Sequence, residues 1–128
     1  MILLLDTHVL LWAAGNPERL STTVREMLEA PDHELLFSAV SVWEIAIKFG
    51  LGREDFRVEP RRLRRGLIDN GYREIAVVSE HVVALDLLPP LHRDPIDRLL
   101  VAQAHVEGVT LLTADSRVAQ YPGPIRLI

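Results

Sequence analysis

The chain has no cysteine, which excludes a disulfide framework and any thiolate zinc site. No apolar run approaches the ~18 residues a membrane-spanning helix needs. Repeats, low-complexity tracts and long linkers are absent. The apolar start MILLL meets Asp6 at once and lacks both a basic leader and a cleavage site, so it reads as a strand and not as a signal peptide. A cytoplasmic location is the simplest expectation. Several catalytic signatures are missing too. No His-Glu-x-x-His pair occurs among the five histidines, and His8 is in no ligand spacing. His92 reads as a loop residue. There is no Gly-x-Ser-x-Gly elbow, and GLGRE at 50–54 lacks the lysine and hydroxyl of a phosphate-binding loop. Aromatic residues make up only 5%; Trp12 and Trp43 lie among apolar helix residues and read as core rather than as base-stacking platforms.

What is present suits a small folded protein. The 128 residues are 48% hydrophobic and 25% charged, enough for one core and too short for two ordinary domains. The expected domain therefore spans 1–128. A net charge of -4 weighs against a nucleic-acid partner, but it says little of a protein that gathers acids in one cleft. The basic residues are uneven: Arg57, Arg61, Arg62, Arg64 and Arg65 crowd one stretch, which a solvated helix face explains more readily than contact with phosphate or an acidic partner.

Along the chain, short apolar strands alternate with helical stretches. Residues 2–5 form a continuous apolar run, as in a strand buried on both faces. Thr7 to Ala14 reads as a helix closed by Gly15-Asn16-Pro17. Thr23 to Glu26 has capping-box spacing, with Val24, Met27 and Leu28 on one face. Residues 34–39 read as a second strand. Ser41 to Glu44 is another capping box, opening a helix that includes Ile45 and Ile47. Pro60 suits the first turn of a helix running to Asn70-Gly71. Residues 74–78 form a third strand, Ser79 caps a helix to about Leu88, and Asp94 caps one with Pro95 in its first turn, ending near Gly108. Residues 109–113 and 124–128 supply the last two strands. This alternation implies an α/β domain with a mostly parallel five-stranded sheet. Sites in such sheets form beyond the carboxyl ends of strands, where strand order reverses.

Acids recur at those places. Asp6 directly follows the first strand and Asp115 closely follows the fourth. Glu44 falls in the first helical turn after the second. Asp94 and Asp97 open the helix before the fourth strand, three apart and able to share a face. Oxygen-only ligand sets suit Mg²⁺ or Mn²⁺ rather than zinc. Each acid also has a structural explanation. Glu44 completes a box with Ser41, Asp94 is a good N-cap, Asp97 favours a helix dipole, and Asp115 before Ser116 begins a turn. Asp6 is the exception, because an acid straight after a buried strand is costly unless partnered.

Four segments resemble the PIN-domain family, and within it the VapC-type toxins of toxin–antitoxin pairs. MILLLDTHVLLW is similar to the opening strand and first acid of PIN domains. SAVSVWEIAIKFGLG resembles the segment of the second acid, which matches Glu44. HRDPIDRLLVAQA resembles the third, with Asp97 as the matching acid and Asp94 as an outer-shell residue or only the cap. LLTADSRVAQY resembles the fourth and matches Asp115. The segments run in family order from residue 1 to about residue 121.

The resemblance implies a three-layer α/β/α domain. It implies an endoribonuclease using Mg²⁺, with Mn²⁺ as substitute, held by Asp6, Asp97 and Asp115 with Glu44 in support. Thr7, Ser38 and Thr113 could orient water or carboxylates, although cap and strand roles explain them as well. It also implies an RNA substrate, a VapB-like antitoxin and a two-fold homodimer. Two other readings compete. A catalytically silent PIN-like RNA-binding or scaffold domain would keep the fold without the reaction. An aspartyl-phosphate receiver would need an acidic pair after the first strand and an acceptor after the third, which Asp6-Thr7 and VVSE do not supply well.

Overall fold

The structure, a computed structural model, describes residues 1–128. Five strands form one sheet: β1 (Ile2–Leu5), β2 (Glu34–Ser38), β3 (Arg73–Ile75), β4 (Thr110–Thr113) and β5 (Ile125–Leu127). Their order is β3-β2-β1-β4-β5, and every neighbouring pair is parallel. The expectation of a mostly parallel sheet is met in full. The outer strands are shorter than expected, and β3 ends at Ile75 instead of reaching residue 78. An edge strand has one partner, so its pairing ends where that partner's does: Ile75 already faces Ser38, the last residue of β2.

Six helices cover the sheet: α1 (Thr7–Gly15), α2 (Thr22–Glu29), α3 (Ala39–Gly50), α4 (Pro60–Asp69), α5 (Ser79–Val83) and α6 (Pro95–Glu107). Successive strand residues point to opposite faces, and the core divides accordingly. Leu3, Leu5, Phe37 and Leu112 pack with Val9 and Leu10 of α1 and Leu67 of α4. Leu4, Leu36 and Leu111 pack with Leu100, Val101 and Ala104 of α6. The run Leu3–Leu5 is therefore apolar because β1 is central and covered on both sides, while Ile2 at its start is exposed. Burial of each such leucine contributes about 1.5–3 kcal/mol. The third helix packs against α1, α4 and α6. No helix is long and apolar enough to cross a membrane.

Three caps differ from expectation. Helix α2 is capped by Ser21, whose Oγ accepts from Val24 N–H at 3.2 Å, and not by a box at Thr23. Helix α3 begins three residues earlier than its motif suggests, because Ser38 accepts from Val40 N–H at 3.1 Å. Ser41 then lies inside the helix, and the Ser41/Glu44 box does not form. The N-cap of α5 is Val78, and after Val83 the chain tightens into a 3-10 turn over Ala84–Leu87. Helix α6 follows its sequence signals: Asp94 caps it, Pro95 occupies its first turn, and Gly108 ends it in the left-handed region at φ 66°, where glycine has no Cβ penalty. Trp43 was expected in the core, but it is 56% exposed, on the outer face of α3.

Candidate functional site

Strand order reverses at β1, which has β2 on one side and β4 on the other. Asp6 stands at that point. Its backbone N–H donates to Leu112 O at 3.0 Å, which ties the end of β1 to β4. Its Oδ1 accepts from Val9 N–H at 3.0 Å and caps α1. Thr7 beside it is buried and donates from Oγ1 to Ser41 Oγ at 2.9 Å, fastening α1 to α3. That bond gives both hydroxyls a structural partner. Ser38 is likewise engaged, donating to Gln103 Oε1 at 2.6 Å, and takes no part in the acidic cluster. Thr113 at the end of β4 accepts from Asp115 N–H at 3.0 Å and supports Asp6 through its hydroxyl.

The start of α6 separates its two acids. Asp94 is exposed, and its Oδ1 accepts from the N–H groups of Ile96 at 2.9 Å and Asp97 at 3.2 Å, so its side chain is spent on the cap. Asp97 points inward, where Oδ2 meets Nε2 of His92 at 3.3 Å. The other face of that ring system is also fixed: His92 Nδ1 lies 2.7 Å from Tyr121 Oη. Arg98 donates to the same Tyr121 oxygen at 2.9 Å.

Glu44 and Asp115 complete the group, each with a cation of its own. Glu44 lies in the second turn of α3 and pairs with Lys48 at 3.4 Å, one turn on. Asp115 is gripped by Arg117, with Nη2 to Oδ2 at 3.1 Å and the backbone N–H to Oδ1 at 2.8 Å.

The four acids lie in one electrostatic neighbourhood but are not alike. Burial raises Asp6 above the ordinary carboxylate range and outweighs the opposing Thr113 hydroxyl, Val9 N–H and His8; Asp115 adds to the rise. Burial first, then the charge of Asp94, pushes Asp97 up to about 6, with His92 opposing and Asp6 and Glu44 adding to the rise. Arg117 holds Asp115 below the usual range. No three Asp, Glu or His side chains are gathered into a complete ligand set as they stand, because most of the acids are turned toward protein partners. The chemistry of the set nevertheless fits a hard divalent cation. All donors are carboxylate oxygens, and Asp6 is buried with no cationic side chain bonded to it, a charge that wants a counter-ion.

A cavity of about 650 Å³ lies elsewhere, among α1, α2 and α4, where Leu20, Leu28, Leu63 and Tyr72 help to line it. None of the four acids borders it. Sequence reasoning missed His92, Tyr121 and Arg117. Arg117 had a usable signal, two residues after an acid at a strand end. His92 and Tyr121 had none, since their meeting depends on how the loop after Pro89-Pro90 folds over α6.

The family description PIN domain matches residues 3–124. Ribonuclease VapC22 of Mycobacterium tuberculosis (strain ATCC 25618 / H37Rv) is 28% identical over 132 residues, covering 94% of this chain and 92% of that protein. The fold is similar to VapBC2 from Rickettsia felis, solved bound to a DNA fragment from its promoter, with a TM-score of 0.73 at 16% identity over 99% of this chain and 98% of the other. A toxin–antitoxin complex from Klebsiella pneumoniae gives a TM-score of 0.65 at 15% identity, over 96% and 94%.

Proposed function

This chain belongs to the PIN-domain family, and from that premise we propose that it is a Mg²⁺-dependent endoribonuclease, the toxin of a VapBC-type toxin–antitoxin pair. One observation carries the reading. Asp6 at the reversal point of the sheet and Asp97 in the first turn of α6 lie within reach of one another's charge, and burial first, then neighbouring acids, raises both carboxyls. Such strain is hard to explain structurally and easy to explain as a site made for a cation.

Asp6 and Asp97 would hold the cation, with Asp115 and Glu44 supporting it directly or through water. When bound, Mg²⁺ or Mn²⁺ supplies a more acidic water and neutralises charge building on the phosphodiester. The protein's own part is orientation. The Val9 N–H fixes Asp6, His92 fixes one oxygen of Asp97, and the Thr7–Ser41 bond holds α1 and α3 together around Glu44.

The likeness to VapC22 supports RNA as substrate, and the likeness to toxin–antitoxin complexes supports a VapB-like partner. Trp43, Ile47, Phe49 and Leu51 leave apolar surface exposed on and just after α3, beside Glu44, where an antitoxin tail would lie with a basic side chain entering the acids. A two-fold dimer and cytoplasmic action belong to the same proposal. The test is cleavage of RNA by the purified protein, with Mg²⁺ or Mn²⁺ and with EDTA, beside an Asp6→Asn control. Activity should vanish with EDTA and with Asp6→Asn; full cleavage after rigorous metal removal would defeat the reading. Co-expression with the small open reading frame beside the gene tests the partner. Failure to co-purify or to suppress cleavage would remove the toxin role while leaving the nuclease.

A further inference from the structure

The side chains behind Asp97 fix the direction of every proton between them. Tyr121 Oη has two lone pairs and one proton. Arg98 Nη1 donates to it at 2.9 Å, and the backbone N–H of His92 makes a longer, weaker approach at 3.4 Å, so both contacts occupy its accepting side. Its proton then goes to His92 Nδ1, 2.7 Å away. A neutral imidazole protonated on one nitrogen accepts at the other, so the ring proton sits on Nε2 and points at Asp97 Oδ2, 3.3 Å away.

The opposite tautomer is worse on two counts. It sends the Tyr121 proton to His92 O at 3.5 Å, the far limit of a hydrogen bond, and it turns a lone pair of Nε2 on a carboxylate. Arg98 cannot reverse the chain, since a guanidinium only donates. It is also anchored to Pro89 O at 2.9 Å and Leu85 O at 3.3 Å. Both His92 and Tyr121 are shielded, with their side chain and residue respectively 8% and 3% exposed.

We propose that Arg98, Tyr121 and His92 form a one-way hydrogen-bond chain that locks His92 as the Nε2–H tautomer and makes it the positioning residue of Asp97, leaving Oδ1 to face a cation. The inference rests on the metal-site reading above. It assigns His92 no contact with substrate: it acts by restricting the rotation of Asp97, as outer partners of metal-binding carboxylates do.

Two measurements test it. Heteronuclear NMR of histidine-labelled wild-type protein, at mildly alkaline pH, reads the tautomer directly and needs neither metal nor activity. A single Nε2–H form is expected, and Tyr121→Phe should lose it. Calorimetric titration with Mn²⁺ reads the positioning. His92→Leu should weaken affinity by roughly 10–100-fold, while His92→Gln, whose amide can donate from the Nε2 position, should recover most of that loss. An Nδ1–H ring or a mixture of tautomers in the wild-type protein overturns the inference, as does His92→Leu binding Mn²⁺ like the wild type. If the wild-type protein binds no Mn²⁺, the function proposed above fails, and the inference is then judged by the tautomer alone.

Discussion

Asp6 and Asp97 differ from Glu44 and Asp115 in what faces them. The first two are drawn into the protein and have no lysine or arginine bonded to them, so burial, with neighbouring acids adding to it, raises their carboxyls. The second two each have a cation within a short reach of the same chain, Lys48 and Arg117. Partly exposed pairs of that kind are ordinary on protein surfaces and contribute little. A buried acid without a cation is not ordinary, because its desolvation opposes folding even where, as at Asp6, the side chain also caps a helix. Under the function proposed above, the contrast puts the functional demand on the first pair and gives the second a supporting place.

The largest expected effect tests that ranking. Asp6→Asn and Asp97→Asn should each lower kcat/KM for RNA by about 100-fold or more, in the range seen when a group stabilising transition-state charge is lost. Asp94→Asn should cost much less, since asparagine also caps a helix and Asp94 is spent on the N–H groups of Ile96 and Asp97. Equal damage from Asp94→Asn and Asp97→Asn would erase the distinction between them.

The next effect is on stability. Asp97 has a folded pKa of about 6 against an ordinary 3.8, so the folded state holds its proton more tightly than the unfolded state. The resulting stabilisation is complete below the unfolded value and is lost as pH rises through about 6. Asp6 acts in the same direction. Asp115 is lowered and titrates below this window. In EDTA, the melting temperature should therefore fall between mildly acidic and neutral pH, and Asp97→Asn should flatten the fall. Allowing for solvent screening, the recovered stability at neutral pH is roughly 1 kcal/mol. A melting temperature that drops on this substitution would make Asp97 a structural acid.

Smaller effects probe the paired acids. Arg117→Ala should free Asp115 and tighten Mn²⁺ binding modestly, by roughly fivefold at most. Weaker binding would mean that Arg117 organises the site instead of competing for it. Lys48→Ala should change chemical-denaturation stability least, by about 0.3–0.5 kcal/mol, as for other pairs one helical turn apart.

The sequence was most readable where a local rule and the tertiary environment agree. β1 is one example, where Leu3, Leu4 and Leu5 reflect burial on both faces; α6 is another, with Asp94, Pro95 and Gly108 marking its limits. It misled where a motif competed with a nearby alternative. Ser41 and Glu44 have capping-box spacing, but Ser38 reaches the backbone first, and the displaced Ser41 bonds Thr7 instead. The acids were visible because strands and helices place them by position. Their partners were harder to see, since the environment of Asp97 depends on Tyr121, far along the chain, and no spacing rule links the two.

The pairing of β1 with β4 also has a meaning for synthesis. β1 stands at the centre of the sheet, yet one of its two neighbours, β4, follows all six helices in the chain, and the Asp6 turn is tied to Leu112. A nascent chain must reach β4 before that turn is fixed, and pairings so distant in sequence form slowly. Asp6 and Glu44 precede Asp97 and Asp115 in the chain, with three further helices and a strand between Glu44's helix and β4. A chain cut short before α6 therefore carries Asp6 and Glu44 without Asp97 and Asp115, and without β4 to tie the Asp6 turn. The topology thus leaves the acid cluster unassembled until β4 has been made.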